Sequence, residues 1–272
     1  MDTFISTREY EPRFALVTGS DSGIGRATAV ALAEAGMDVG ITWHSDETGA
    51  EETAELVRAT GRRASVARLD TTDLPGCGDV VDELARQLGG LDVFVNNAGM
   101  GNPATFLDST LDEWQETIAA DLTGAFVCLQ RAARIMVAAQ RGGRLIAVSS
   151  VHEHQPRVGS SAYDAAKHGL GGLMKTAALE LGRHAITCNL VAPGEISTPM
   201  NDAEDVDPHS IHRPGIPLGR PGDAREMAAV IAFLASPAAS YVTGASFVAD
   251  GGMLNMGPQA GSHLTDDAWR DA

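Results

Sequence analysis

Short apolar, β-rich runs recur along this chain, each separated from the next by a longer stretch with helical patterning. That alternation constrains the fold more than any other feature. The strand candidates are Phe14–Thr18, Met37–Thr42, Ala64–Leu69, Leu91–Asn96, Gly143–Ser149, Ile186–Val191 and Ser246–Ala249. Between them helices are expected near Gly23–Ala35, Asp46–Thr60, Leu74–Leu88, Leu111–Gln140, Ala162–Arg183 and Asp223–Ala235. A run such as Leu91-Asp92-Val93-Phe94-Val95 is mostly apolar, as a strand must be when helices cover both faces of its sheet. Alternating β and α over the whole length predicts an α/β fold: a single-domain, doubly wound parallel sheet of about seven strands. No internal repeat and no domain-splitting linker interrupts it. The folded domain is expected over 14–256, with an N-terminal arm at 1–13 and a C-terminal tail at 257–272 that docks on a partner subunit or frays. Asn201–Pro221, with four prolines and two histidines, reads as a mobile loop or lid.

The first strand runs straight into Thr18-Gly19-Ser20-Asp21-Ser22-Gly23-Ile24-Gly25, and Arg26-Ala27-Thr28-Ala29-Val30 opens the first helix. Glycines let the backbone turn sharply and approach a pyrophosphate, while the helix N-terminus favours its charge. The spacing is G-x-x-x-G-x-G. A glycine turn can serve packing alone, but its place between strand and helix points to a dinucleotide.

Lysine and tyrosine are both scarce. The chain has two lysines, and Lys167 follows Tyr163, one of three tyrosines, by four positions. On a helix that spacing puts both side chains on one face. A nearby cation favours phenolate over phenol. An unperturbed tyrosine titrates near about 10, and each unit of lowering costs about 1.4 kcal/mol, which a close ammonium and a cationic cofactor ring can supply. The pair reads as a tuned acid/base; a surface pair without chemistry is the alternative at this point.

Composition narrows the partners. The formal net charge is −16 and the positive charges, nearly all arginine, are scattered, which argues against nucleic acid and anionic membrane as partners. No apolar run reaches the roughly 18 residues a membrane span needs. Met1–Arg13 is polar and charged, unlike a secretory signal. Three widely spaced cysteines, Cys77, Cys128 and Cys188, without a CxxC, fit a cytoplasmic protein with reduced thiols.

With these features in place the chain resembles the classical short-chain dehydrogenase/reductases, over about Phe14 to Met253. Further motifs carry the resemblance: Asn96-Asn97-Ala98-Gly99 after a strand, Ser150 thirteen positions before Tyr163, Pro193-Gly194-Glu195-Ile196-Ser197-Thr198, and Asp250-Gly251-Gly252. Ile41-Thr42-Trp43-His44-Ser45-Asp46 and Ser150-Val151-His152-Glu153-His154 look like a little-characterised bacterial branch. The resemblance implies a Rossmann-like domain and an NAD(P)-dependent oxidoreductase that moves a hydride between nicotinamide and a secondary alcohol or ketone. It implies that Tyr163 exchanges the proton at the substrate oxygen, Lys167 lowers the tyrosine's pKa and binds the nicotinamide ribose, and Ser150 hydrogen-bonds the carbonyl. Ser149 is the alternative hydroxyl, but strand alternation and spacing favour Ser150. Gly19, Ser22, Gly23, Ile24, Gly25, Asn97, Ala98, Gly99, Pro193, Gly194, Ile196 and Thr198 would surround the cofactor. Family habit also implies a homotetramer packed through the two longest helices. Small residues such as Ala165, Ala166, Gly169, Gly171 and Gly172 would permit close helix approach, or pack internally.

Asp121 departs from the family, which has asparagine there to support a water relaying protons to the lysine. If the backbone carbonyl at this position holds the water, aspartate is tolerated and activity is expected to survive; if the side-chain amide donor is needed, an ionised carboxylate cannot donate and the relay would be altered. Asp121 is therefore counted with Ser150, Tyr163 and Lys167 in the catalytic set, and a catalytically weak NAD(P)-binding sensor or scaffold is kept as the alternative function. The second strand ends in Trp43, His44 and Ser45 where NAD-using members carry an acid, so NADP is favoured over NAD. Asp70 resembles the residue that contacts adenine. His152, His154 and Met200 are expected to border the substrate, Trp114 and Phe126 to be buried in their helix. His152/His154 and His209/His212 lack further ligands with zinc spacing, so no metal is expected. Small hydroxy-ketones, sugars and 3-oxoacyl thioesters all remain open as substrates.

Overall fold

A computed structural model describes residues 10–101, 103–199 and 206–256. Seven strands form one parallel sheet in the order β3-β2-β1-β4-β5-β6-β9. They are β1 (Phe14–Val17), β2 (Asp38–Trp43), β3 (Ala64–Arg68), β4 (Val93–Asn96), β5 (Gly143–Val148), β6 (Ile186–Pro193) and β9 (Ser246–Ala249). A second, two-stranded pair joins β7 (Ile196–Ser197) to β8 (Gly222–Asp223) beyond the end of β6. The helices are α1 (Gly23–Glu34), α2 (Glu47–Ala59), α3 (Gly76–Leu88), α4 (Leu111–Ile118), α5 (Ala125–Ala139), α6 (Ser161–Leu181) and α7 (Ala224–Ala235).

Strand alternation divides the core in two. Ala15, Val17, Val93, Val95, Ile146 and Val148 face one side, against Leu32 of α1 and Ile231 and Leu234 of α7. Leu16, Phe94, Leu145 and Ala147 face the other, against Leu84 of α3, Met136 of α5 and Leu170 of α6. Both faces are apolar, which is why the strands read as unbroken hydrophobic runs.

The expected long helix Leu111–Gln140 is three pieces: α4 and α5 flank a π-helical turn at Ala119–Gly124. The run Leu111–Ala139 is long and apolar enough, by length and composition, to cross a bilayer, one 18-residue stretch of it having a mean hydropathy of 1.3. Here Cys128, Leu129, Ala132 and Met136 pack it into the α3 side of the core. The expectation that Trp114 and Phe126 are buried is overturned: both are exposed, on α4 and α5 respectively. Thr117 of α4 and Cys128 of α5 are the buried side chains instead. Of the small residues on α6, Gly169 and Gly171 pack internally. A Cβ on Gly169 would come within 2.9 Å of the Leu122 side chain, and one on Gly171 within 2.6 Å of a Glu153 oxygen.

The amino end of the sheet is closed by a polar cluster. Arg144 on β5 is fully buried, with its guanidinium carbon 3.8 Å from the centre of the Tyr10 ring. Tyr10 donates its hydroxyl to the Asp92 carbonyl at 2.9 Å, and Asp92 pairs with Arg141 at 2.9 Å while accepting from the Arg13 amide. Burial pushes the Tyr10 phenol far above its ordinary range. Tyr10 therefore covers a charge that would otherwise face water from inside the core. Tyr10→Ala is expected to lower unfolding free energy by about 3 kcal/mol, from lost ring burial and cation–π contact, and Tyr10→Phe by only about 1 kcal/mol, from the lost hydrogen bond. Urea denaturation of the two variants measures the difference.

Candidate active site

Strand order reverses between β1 and β4, so their carboxyl ends open a crevice at the switch point. The glycine turn fills the β1 side. Gly19 and Gly23 have φ of 59° and 52°, in the left-handed region that suits glycine. At Gly25 the limit is space: a Cβ there would lie 2.0 Å from the Gly19 carbonyl oxygen. Ser22 stands at the N-cap of α1 without capping it, and no acid occupies the first turn. The amides of Gly23, Ile24 and Gly25 thus head a helix whose positive end is left for an anion.

The turn is clamped from β4. Asn97 donates its side-chain amide to the carbonyls of Thr18 at 3.0 Å and Gly19 at 2.8 Å, and Thr18 Oγ1 accepts from the amides of Asn97 and Ala98. Ala98 also packs on Gly19, where a Cβ would meet its Cα at 3.0 Å. Asn97 and Ala98 so act on the turn itself. Across the crevice Thr198 touches Gly23: a Cβ built there would lie 3.2 Å from Thr198 Cγ2. Gly194 lies against Asp250, its amide bonded to the Ala249 carbonyl at 3.1 Å, and Ile196 is buried beside it on β7. A nicotinamide dinucleotide fits this donor set: a glycine-rich turn at a helix N-terminus, facing Gly194 at the end of β6 and Thr198 after β7.

At the adenosine end, β2 delivers Trp43 and then the exposed His44 and Ser45. His44 Nε2 stands 3.4 Å from Asp70 Oδ2, and Arg68 Nε donates to the His44 carbonyl at 3.1 Å. Asp70 accepts from the Thr72 amide and hydroxyl, which hold its carboxyl below the usual range. Asp46 is engaged as the N-cap of α2, accepting from the Gly49 amide at 2.9 Å. Arg68 was not singled out in the sequence; a lone arginine ending an edge strand carries no signal until the fold sets it beside His44.

The polar centre lies between α6 and the π turn. Lys167 is buried, with Nζ 5.1 Å from the Tyr163 ring centre and 3.2 Å from Asp121 Oδ2. Asp121 is wholly buried and accepts from the Met100 amide at 2.7 Å. Burial works against the Lys167 ammonium, but the facing Asp121 carboxylate and Tyr163 outweigh it and hold the group above its ordinary pKa. Gly99 leaves the needed room: a Cβ would stand 3.1 Å from Asp121 Oδ2 and 3.3 Å from Lys167 Nζ. Gly101 continues this segment across the Tyr163 ring.

Ser150 follows β5 and N-caps the short turn Val151–Glu153, its Oγ accepting from the His152 amide at 3.2 Å. The His152 ring meets Tyr163 edge-on at 5.9 Å between centroids. Its Nδ1 lies 3.1 Å from the Gln155 carbonyl and 3.8 Å from Asp164 Oδ1. His154 turns elsewhere, its Nε2 3.2 Å from Ser246 Oγ on β9. Glu153, also overlooked in the sequence, is buried beneath and accepts from the same serine at 3.0 Å. Met200 lies outside the described residues. Among the described residues no cluster of His, Cys, Asp or Glu could hold a metal ion.

A seven-stranded parallel sheet with a glycine turn at its switch point defines a nucleotide-binding oxidoreductase fold, and comparison with known proteins agrees. A family model described as Enoyl-(Acyl carrier protein) reductase matches residues 19–254. The chain belongs to the short-chain dehydrogenase/reductase family. It is 50% identical to the uncharacterized oxidoreductase YohF of Escherichia coli (strain K12), over 90% of this chain and 97% of that one. It is 38% identical to the L-rhamnose 1-dehydrogenase (NAD(P)(+)) of a Sphingomonas species, over 89% of this chain and 96% of the other. The crystal structure of acetoin dehydrogenase YohF from Salmonella typhimurium superposes with a TM-score of 0.87 at 49% identity, covering 92% of this chain and 98% of that one. The protein is an NAD(P)-dependent dehydrogenase/reductase acting on small molecules.

Gly25→Ala forces a methyl into the Gly19 carbonyl, so it is expected to weaken nicotinamide dinucleotide binding at least about ten-fold and to destabilise the fold. Gly182→Ala, at an open position with right-handed backbone, is expected to leave both unchanged. Fluorescence titration with NADPH and thermal melts of the pair measure this.

Proposed function

We propose that the protein reduces a small ketone, or oxidises the corresponding secondary alcohol, through Ser150, Tyr163 and Lys167. The observation that carries this reading is the buried Lys167 held against Tyr163 by Asp121, at the carboxyl end of the sheet and beside the turn that Ser150 begins. When bound, the nicotinamide supplies or accepts the hydride. Tyr163 gives its proton to the carbonyl oxygen as that oxygen becomes negative, and Ser150 Oγ–H holds the same oxygen in place. Lys167 keeps a positive charge beside the phenol and reaches toward the ribose, while Asp121 positions Lys167. His152, edge-on to Tyr163, borders the substrate; His154 supports the turn from behind. Met200 stays a substrate contact by family pattern.

The substrate class we favour is a small hydroxy-ketone or vicinal diketone, supported by the near 50% identity to proteins named acetoin dehydrogenase. NADP is our preferred cofactor: His44 and Ser45 end β2 without a free acid, Asp46 is spent on its helix, and Arg68 adds a guanidinium next to them. The dehydrogenase domain is assigned to 14–256, with 200–221 as the substrate loop. The assembly proposed is a cytoplasmic homotetramer without nucleic-acid or membrane partners. Exposed Leu111, Trp114 and Phe126 on α4 and α5 supply an apolar face for it.

The test is absorbance at the reduced-nicotinamide band with NADPH and NADH over diketones, hydroxy-ketones, keto-sugars and acyl thioesters. Wild type is expected to turn over a vicinal diketone faster with NADPH. Tyr163→Phe is expected to lose at least about a hundred-fold in kcat while binding cofactor normally. Cofactor binding without turnover of any substrate would select the sensor reading instead.

A further inference from the structure

We infer that the Asp121 carboxylate is a fixed counter-charge to Lys167 that sets the pH at which the site passes from proton donor to proton acceptor, poising it for carbonyl reduction near neutrality. The inference rests on the proposed role of Tyr163 and adds what the carboxylate does to it.

Asp121 has no freedom to turn away. Its Oδ1 accepts from the Met100 amide at 2.7 Å and its Oδ2 faces Lys167 Nζ at 3.2 Å, with no surface exposed to water. The π turn that carries it presents the side chain inward, and such turns inside helices are frequent at functional positions. Gly99 packs over the pair so closely that a Cβ would touch both members. The unit is therefore a sealed ammonium–carboxylate pair, close to neutral as a whole. An amide at 121 would leave the ammonium as a full unit charge beside the phenol. With the carboxylate on its far side, part of that field is cancelled and the phenol keeps its proton to higher pH.

The consequence follows from the reaction. In reduction the hydride, with its electron pair, goes to the carbonyl carbon, and the phenol O–H bond breaks as the proton moves to the carbonyl oxygen. The protonated tyrosine is the working form. In oxidation the phenolate works, taking the hydroxyl proton. Delaying phenol ionisation widens the pH range in which reduction runs. The titratable groups facing this unit are Lys167 and Tyr163 from α6, Asp121 from the π turn, and His152 from the turn after β5; Asp164 stands behind His152. The pH–rate midpoint belongs to this coupled set and not to one residue.

The experiment is the pH dependence of kcat/KM in both directions for wild type and Asp121→Asn, with His152→Gln and the double variant alongside and cofactor affinity measured by fluorescence. Asp121→Asn is expected to move both midpoints toward acid by about one pH unit. Reduction is then lost earlier as pH rises and oxidation appears earlier, with cofactor affinity kept within about two-fold. An unmoved midpoint, or one moved toward alkali, with cofactor affinity retained, overturns the inference. So does a shift that disappears when His152 is glutamine, since the imidazole would then be its source. If Asp121→Asn does not fold, phenolate absorbance of the otherwise native enzyme decides. Tyr241→Phe removes the exposed tyrosine, and burial keeps Tyr10 protonated, so Tyr163 alone reports. A phenol still protonated at neutral pH supports the inference; phenolate already formed there overturns it. Undiminished turnover in Tyr163→Phe would instead overturn the role of Tyr163 itself, a separate result.

Discussion

The junction of β1 with β4 is the constraint around which the site is arranged. A parallel sheet wound in both directions must leave a gap where its crossovers part, and here that gap leaves no room for a Cβ at Gly25. Thr18 and Asn97 make the junction rigid. The Thr18 amide bonds to the Val95 carbonyl at 3.0 Å, its hydroxyl receives two amides from the β4 end, and Asn97 returns two hydrogen bonds to the glycine turn. The same segment runs on through Gly99 and Met100 to Asp121. One short stretch after β4 therefore couples the glycine turn to the Asp121–Lys167 pair beside Tyr163.

Two buried cations show opposite solutions to one problem. A guanidinium or ammonium taken from water costs several kcal/mol unless something replaces the lost hydration. Arg144, at the amino end, is covered by an aromatic face and a single carbonyl hydrogen bond, and burial holds it below its ordinary pKa. Lys167, at the carboxyl end, meets a carboxylate and stays above its own. The first arrangement closes the sheet; the second keeps a charge in place beside Tyr163. Placing the costly polar groups at the two ends of the strands leaves the middle of both sheet faces apolar.

Much of this was legible in the chain. All seven strands of the main sheet were read to within a few residues: the inner ones because strands covered on both faces are largely apolar, the partly buried edge strands β3 and β9 as short β-rich runs between helices. The glycine turn was legible because few other constraints demand Gly19, Gly23 and Gly25 together between a strand and a helix. Less visible were features whose cause is tertiary. The two-residue strands β7 and β8 are too short to show a period. The π turn at Ala119–Gly124 has ordinary helix-compatible residues, and one extra residue in a turn leaves no compositional trace. Trp114 and Phe126 read as core by hydrophobicity alone, yet on α4 and α5 both are exposed. His152 and His154 are close in sequence and similar in chemistry, and only the short turn after Ser150 sends one toward Tyr163 and the other toward Ser246.

By itself the sequence determined the order of strands and helices, the glycine-rich turn, and the helical face shared by Tyr163 and Lys167. Each of these is set by local geometry: the period of a strand, the missing Cβ of glycine, the rise of a helix. The tertiary structure decided which charge Lys167 meets. Asp121 and Lys167 lie on different helices, far apart along the chain, and no local rule brings them together. They touch because α4, the π turn and α6 pack on one face of the sheet, and because a carboxylate and an ammonium buried there satisfy each other at less cost than either would pay alone.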